Sequence, residues 1–223
     1  MHGEIFASPH DGAGAALALA LAMDRMRNCA TDPLADSPDE RSWLWVQDRE
    51  ALKRTGRPYR PGLPKELRHR LIHVAAKSPE DALFALEEGM HCRDLAFVIG
   101  EIAGNPRALS FTASRRLSLA AERHGVPLWL VRLDARRDLS SARMRWQASS
   151  APSPPPRWNG QAPGMPSWRA ELFRARSHPP GEWILRDEGY SLVAAKPESA
   201  AIVIPPHPGG LAEAAGARSL AAR

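Results

Sequence analysis

Lysine is nearly missing from this chain, which has 4 Lys against 26 Arg. Cysteine is scarce as well. Cys29 and Cys92 form no CxxC, so no disulfide framework is indicated, and the plain reading is two reduced thiols packing as small apolar groups. No apolar run approaches the ~18 residues of a membrane-spanning helix. Leu17–Met23 is apolar but short, and no Lys or Arg precedes it, so it does not read as a signal peptide. These absences predict a soluble protein of the cytoplasm with no membrane partner.

What is present is enough for a core. The chain has 223 residues, 43% of them hydrophobic, sufficient for one ordinary domain plus tails. The net charge is +5, and it is unevenly placed. Residues 107–186 hold 14 Arg, no Lys and 5 acidic groups, a surplus of nine positive charges (14 − 5). Guanidinium groups bind phosphate oxygens in a fork, which suits nucleic-acid backbones. A GC-rich genome that replaces Lys by Arg throughout explains the same composition.

Strand and helix patterns alternate along the first two-thirds. Strands are predicted at 3–7 (GEIFA), 42–47 (SWLWVQ), 70–75 (RLIHVA), 95–102 (LAFVIGEI) and 128–133 (LWLVRL). Helices are predicted at 12–27, 79–92 and 106–124. Ser78-Pro79-Glu80-Asp81 starts the second of these, and Gly125 and Pro127 close the third. A loop is expected at 29–41, and irregular backbone at 48–63, where Gly56, Pro58, Pro61 and Gly62 interrupt. After the fifth strand, 142–148 alternates, with Ala142, Met144, Trp146 and Ala148 on one face and Arg143, Arg145 and Gln147 on the other. A Pro-rich insertion at 149–167 reads as flexible. Strands at 168–176, 182–187 and 190–194 follow, and the Ala/Pro/Gly-rich tail from 196 reads as disordered. The expectation is one domain over 1–195, α/β in class, with a mostly parallel sheet extended by antiparallel strands.

The first strand runs into Ser8-Pro9-His10-Asp11-Gly12-Ala13-Gly14 and then a helix. This is the context of a phosphate loop, but the chemistry is missing. GxxxxGK[ST] uses backbone amides to cradle phosphates, Lys to neutralise them and a hydroxyl to bind magnesium. Here Gly14 is followed by Ala15 and Ala16. Gly12 and Gly14 are therefore positions of a degenerate nucleotide site. Backbone amides and the helix N-terminus still allow anion binding, yet Asp11 would repel phosphate and a simple turn is the cheaper reading.

Other candidates are weaker. His69 and His73 are four apart, but HRLIH lacks the Glu of HExxH and His73 falls in a strand, so no metal site is indicated. No GxSxG turn or other nucleophile context marks a catalytic residue. Trp43 and Trp45 share a strand face and are expected under a helix, while Trp146, Trp168 and Trp183 are expected in the core. Trp158, in the Pro-rich insertion, is expected to be exposed and available to a partner. On the third helix Arg115 falls on the polar side with Ser118, and Arg116 borders the buried stripe. Both are candidates for contact with DNA or a partner, against a solvated face or a salt bridge. Arg143 and Arg145, on the exposed face of their strand, are better candidates for DNA phosphates or an acidic partner. The competing reading is edge-strand charges that block sheet-to-sheet aggregation.

Several stretches together resemble a known family. They are GEIFA, WLWVQDR (43–49), ALEEGMHCRDLAFVIGEIAGNPRALSFTASRRLSLAAERHGVPLWLVR (85–132), SSARMRWQASSAPS (140–153) and WRAELFRAR…GEWILRDE (168–188). The arrangement resembles the RecA-like three-layer α/β/α core and, more narrowly, ImuA, the RecA-like protein of the bacterial damage-inducible mutagenesis cassette. The resemblance spans roughly residues 3–190. It implies a non-catalytic accessory factor of SOS-induced error-prone translesion synthesis that needs no cofactor. Its implied partners are an ImuB-like Y-family polymerase homologue and, through that adaptor, an error-prone polymerase III-type alpha subunit, with DNA and RecA as further candidates. In a RecA-like ATPase, Glu101 would be the metal-holding or water-orienting acid. The structural alternative is a strand-end carboxylate that faces solvent or pairs with Arg107. Two other functions stay open: a divergent RecA-like ATPase or recombinase, and a SulA-like cell-division inhibitor.

Overall fold

A computed structural model describes residues 1–28, 39–189 and 191–197, and among these it sets nine strands side by side in one sheet. In chain order they are β1 (His2–Ala7), β2 (Ser42–Gln47), β3 (Leu71–Ala75), β4 (Leu95–Ala103), β5 (Leu128–Leu133), β6 (Met144–Ser150), β7 (Ser167–Ala175), β8 (Gly181–Asp187) and β9 (Leu192–Ala195). Across the sheet the order is β3-β2-β4-β5-β1-β6-β7-β8-β9. The strands from β3 to β6 are parallel, and β7, β8 and β9 are antiparallel additions.

Helices cover both faces of the sheet from β2 to β1. They are α1 (Ala13–Asn28), α2 (Arg49–Thr55), α3 (Lys65–Arg68), α4 (Pro79–His91) and α5 (Phe111–His124). On one side α1 packs over Ile5, Trp43, Phe97 and Trp129. On the other, α4 and α5 pack over Leu44, Val98, Leu128 and Leu130. Being covered on both faces leaves almost every side chain of β1, β4 and β5 buried, so these strands are mostly apolar without alternation, and the charges they do carry, Glu4, Glu101 and Arg132, are buried with them. The result is an α/β protein whose layers are compatible with a three-layer α/β/α core. No helix of the described residues is long and apolar enough to cross a membrane.

Three expectations need correction. The stretch 48–63 is not irregular throughout, because α2 fits between two punctuating residues. The Asp48 carboxylate accepts the amide of Ala51 at 2.7 Å, and Gly56 (φ 75°) ends the helix. Helix α5 starts at Phe111 rather than Pro106, since the Ser110 hydroxyl caps it by accepting the amide of Ala113. Finally, β6 is neither antiparallel to its first neighbour nor an edge. It lies between β1, to which it is parallel, and β7.

The parallel β6 depends on a crossover without a helix. Asp134, at φ 50°, turns the chain out of β5, a backbone region that Asp tolerates better than most residues. Residues 134–143 then run back along the sheet to the start of β1. Ten extended residues reach ~33 Å, ample for a six-residue strand. On the way, this link closes over a buried charge cluster. The Ser140 hydroxyl donates to Glu4 Oε1 at 2.7 Å, and Arg145 Nε donates to Glu4 Oε2 at 2.8 Å. Arg132 lies 3.9 Å from the same carboxylate, and all three charged side chains are buried. Arg145 also lies over the rings of Phe6 and Phe173, 5.0 and 5.3 Å from their centroids.

Trp43, Trp45, Trp146 and Trp168 are buried and Trp183 partly so, as their strand positions predict. The predicted loop at 29–41 for residues 29–38, Cys29 with it, and the predicted tail from residue 198 lie outside the described residues, as does Tyr190.

Candidate functional site

A cleft of about 410 Å3 opens over the carboxyl ends of β1, β2, β4 and β5, where parallel α/β sheets bind their ligands. The loop after β1 forms one wall, with Asp11, Gly12 and Gly14. The opposite wall is the end of α2 and the residues after it, Arg54 to Tyr59. Gln47 and Glu101, neighbours in the β2–β4 register, form the floor.

Glu101 is 1% exposed and neither faces solvent nor pairs with Arg107. Its Oε1 accepts from Trp45 Nε1 at 2.8 Å. Its Oε2 accepts from Gln47 Nε2 at 3.2 Å and from the Thr55 hydroxyl at 3.0 Å. Burial pushes its carboxyl above the usual range despite these three donors, and the nearby Asp48 pushes the same way. Asp48, an acceptor for Ala51 and Ala103, is itself raised by burial. Behind them His73 shares a hydrogen bond with Gln47 Oε1 at 2.9 Å. Burial, with Arg57 and Arg60 nearby, holds its ring below its ordinary pKa, so a neutral ring donates to Gln47. A chain of hydrogen bonds thus runs from His73 through Gln47 to Glu101, and it locks the acid in place.

The wall made by the loop between β1 and α1 is filled from within. Asp11 Oδ1 accepts the amide of Ala13 at 3.0 Å, and Oδ2 accepts the amide of Ser150 at 2.7 Å. The Ser150 hydroxyl adds a further bond to Asp11. Burial alone would raise this carboxyl, but the Ser150 and Ala13 bonds hold it below the usual range. An acid of the chain itself therefore sits at the start of α1, where a phosphate would have to come. Gly14 serves packing: a Cβ there would lie 2.7 Å from Ala7 Cβ and 2.9 Å from Val131 Cγ1. Gly12 has open space around it and no unusual backbone. Across the mouth Arg54 pairs with Asp134 at 2.9 Å. Among the described residues no cluster of His, Cys, Asp or Glu could hold a metal ion.

The arginine candidates fall into three places. Arg145 is only 3% exposed, which corrects its expected place on an open face: β6 is internal, and Glu4 draws the guanidinium inward. Arg116 is exposed and bonded to Glu87 of α4, tying the two helices together. Arg115 and Arg143 meet in a second groove, of about 390 Å3, beside α5, where Arg143 Nε donates to Glu122 at 2.6 Å. Ser118, expected on the polar side with Arg115, is instead buried against His2. Trp158 is 81% exposed, apart from both openings.

Sequence reasoning overlooked Gln47, Thr55 and Glu4. A signal was available for two of them. A polar residue closing an apolar strand, as Gln47 does, points into the crevice at the strand ends. A lone acid inside a buried strand, as Glu4 is, demands a buried partner.

No family model matches this chain. Among curated proteins it is similar to Protein ImuA of Caulobacter vibrioides, in strains NA1000 and CB 15. Each is 37% identical over 128 residues, covering 52% of this chain and 50% of the relative. The chain spans about half the length of the ImuA proteins it matches.

Proposed function

We propose that this chain is a non-catalytic accessory protein of SOS-induced, error-prone translesion synthesis, built on a RecA-like core. In this reading it works by binding an ImuB-like Y-family polymerase homologue, which connects it to an error-prone polymerase III-type alpha subunit. The observation that carries the non-catalytic part is Asp11. Its carboxylate takes the amide of Ala13 at 3.0 Å, in a loop whose following residues are Ala15 and Ala16. A triphosphate there would meet a negative charge with no lysine to offset it and no hydroxyl to hold magnesium. The family part rests on the similarity to ImuA.

Two measurements test the reading on the whole chain. Melting with saturating Mg-ATP should give no shift, whereas a ligand at 100 times its Kd adds about 2.7 kcal/mol. Co-expression with an ImuB-like protein should give a stable complex on purification. Hydrolysis of ATP that disappears in Glu101→Gln would overturn the non-catalytic reading. Failure to co-purify would overturn the partner.

A further inference from the structure

Helices α4 and α5 cover their face of the sheet only as far as β1, because the 134–143 link carries no helix onto β6 and β7. The far side of α5 therefore stands beside uncovered strand, and this is where the 390 Å3 groove opens, between α5, the end of the link and the end of β7. Helix α5 turns Phe111, Arg115 and Leu119 toward it, spaced four residues apart and so stacked along one face. Phe111 and Leu119 are 50% and 54% exposed, although an amphipathic helix ordinarily turns such side chains to its core. Around them stand Arg143, Arg174 and Arg176. Of the four guanidiniums only Arg143 has an ion-pair partner among the described residues, Glu122, which leaves the groove a surplus of three positive charges (4 − 1).

We propose that this groove docks an acidic amphipathic segment of a partner protein: a helix with two apolar side chains seven or eight residues apart, flanked by Asp and Glu. Charge complementarity selects an acidic occupant. The apolar pair selects a peptide over a phosphate backbone, which would satisfy the arginines and leave Phe111 and Leu119 in water. These two are eight helical positions apart, about 12 Å along α5, the separation of side chains two turns apart on a partner helix. The volume suits a few buried anchor side chains. Residues 198–223 do not fit the role by charge, since Glu198 and Glu213 are balanced by Arg218 and Arg223. The proposal rests on the partner-binding reading above and gives that partner a surface and a chemistry.

A display library of random 16-residue peptides, selected on the full chain, tests it. The enriched peptides should be acidic and carry paired apolar residues seven or eight apart. Measured by fluorescence anisotropy, their binding should weaken at least tenfold in Arg115→Glu/Arg174→Glu and, separately, in Phe111→Ser/Leu119→Ser, with melting temperatures unchanged because all four side chains are exposed. Arg115→Lys/Arg174→Lys should retain most of the binding. Enriched peptides that bind the variants as well as the parent would overturn the proposal, and so would a selection that enriches nothing. Groove-dependent binding of a labelled oligo-dT strand in place of peptide would assign the surface to nucleic acid instead. A parent chain and Glu variant that capture the ImuB-like protein equally would sink the groove and leave the partner standing. A parent that captures none would sink the partner, and the peptides alone would then decide the groove.

Discussion

Glu4 and Arg145 are 141 positions apart in sequence, and 2.8 Å separates the carboxylate from the guanidinium between two parallel strands. Such a pair, taken out of water, is costly to break by halves, because the survivor keeps its charge and loses its counterion. Arg145→Met should therefore destabilise the chain by about 3 kcal/mol, with Arg132 at 3.9 Å limiting the damage. Glu4→Gln/Arg145→Met should cost less than the sum of the single variants. Urea denaturation of the four proteins checks this, and strictly additive losses would refute it.

The floor of the cleft predicts a pH dependence. Glu101 and Asp48 are both raised by burial in the folded chain, so the folded state holds protons that the unfolded state releases. Stability from these groups is intact below the ordinary carboxylate range and falls as pH rises through the raised values, with a slope of up to about 1.4 kcal/mol per pH unit for each group. Glu101→Gln should remove its share of the slope and ease the ionisation of Asp48. Denaturation midpoints at pH 5 and pH 8 should lie closer together in the variant than in the parent. An unchanged gap would mean that the three donors fully compensate the burial.

His2 predicts a slope of the opposite sign. Burial drives its pKa down to about 4, against the pull of Glu4, and its Nδ1 shares a 2.8 Å hydrogen bond with the Ser118 hydroxyl. The folded state keeps the ring neutral while the unfolded state takes a proton near pH 6.5. Its contribution is whole above that value and is lost as pH falls toward 4, about 3 kcal/mol in all. In His2→Asn the acid limb between pH 6.5 and 4 should flatten. A limb as steep as the parent's would assign acid sensitivity elsewhere.

The two loop glycines should behave differently. Gly14→Ser puts a Cβ against Ala7 and Val131, an overpacking of about 1–3 kcal/mol, or a melting point lower by roughly 2–12 °C. Gly12→Ala meets nothing and should stay within about 0.5 kcal/mol. Equal losses at both positions would return the loop to a ligand-shaped role.

Much of the architecture was legible because its signals are local. Ser78 with Pro79, Gly125, and the apolar runs of β2 and β5 mark element ends through backbone chemistry that neighbours determine. The missing lysine and hydroxyl after Gly14 were equally local. What escaped was set by pairing at a distance. The alternation of 142–148 shows a strand but not its direction, which depends on a link that doubles back across the sheet. Once β6 lies inside, Arg145 reverses its meaning from surface charge to buried counterion. Glu101 likewise reads as a strand-end acid until Trp45, Gln47 and Thr55 converge on it from two other elements.

The helix-free passage from β5 to β6 gives the molecule two mechanical halves. From β2 to β1 the sheet is clamped between layers, and its amides should exchange slowly as one unit. Beyond β6, where only one side has cover, β8 and β9 can breathe without loosening the clamp, so this flank can adapt to an arriving surface while the rest holds its shape.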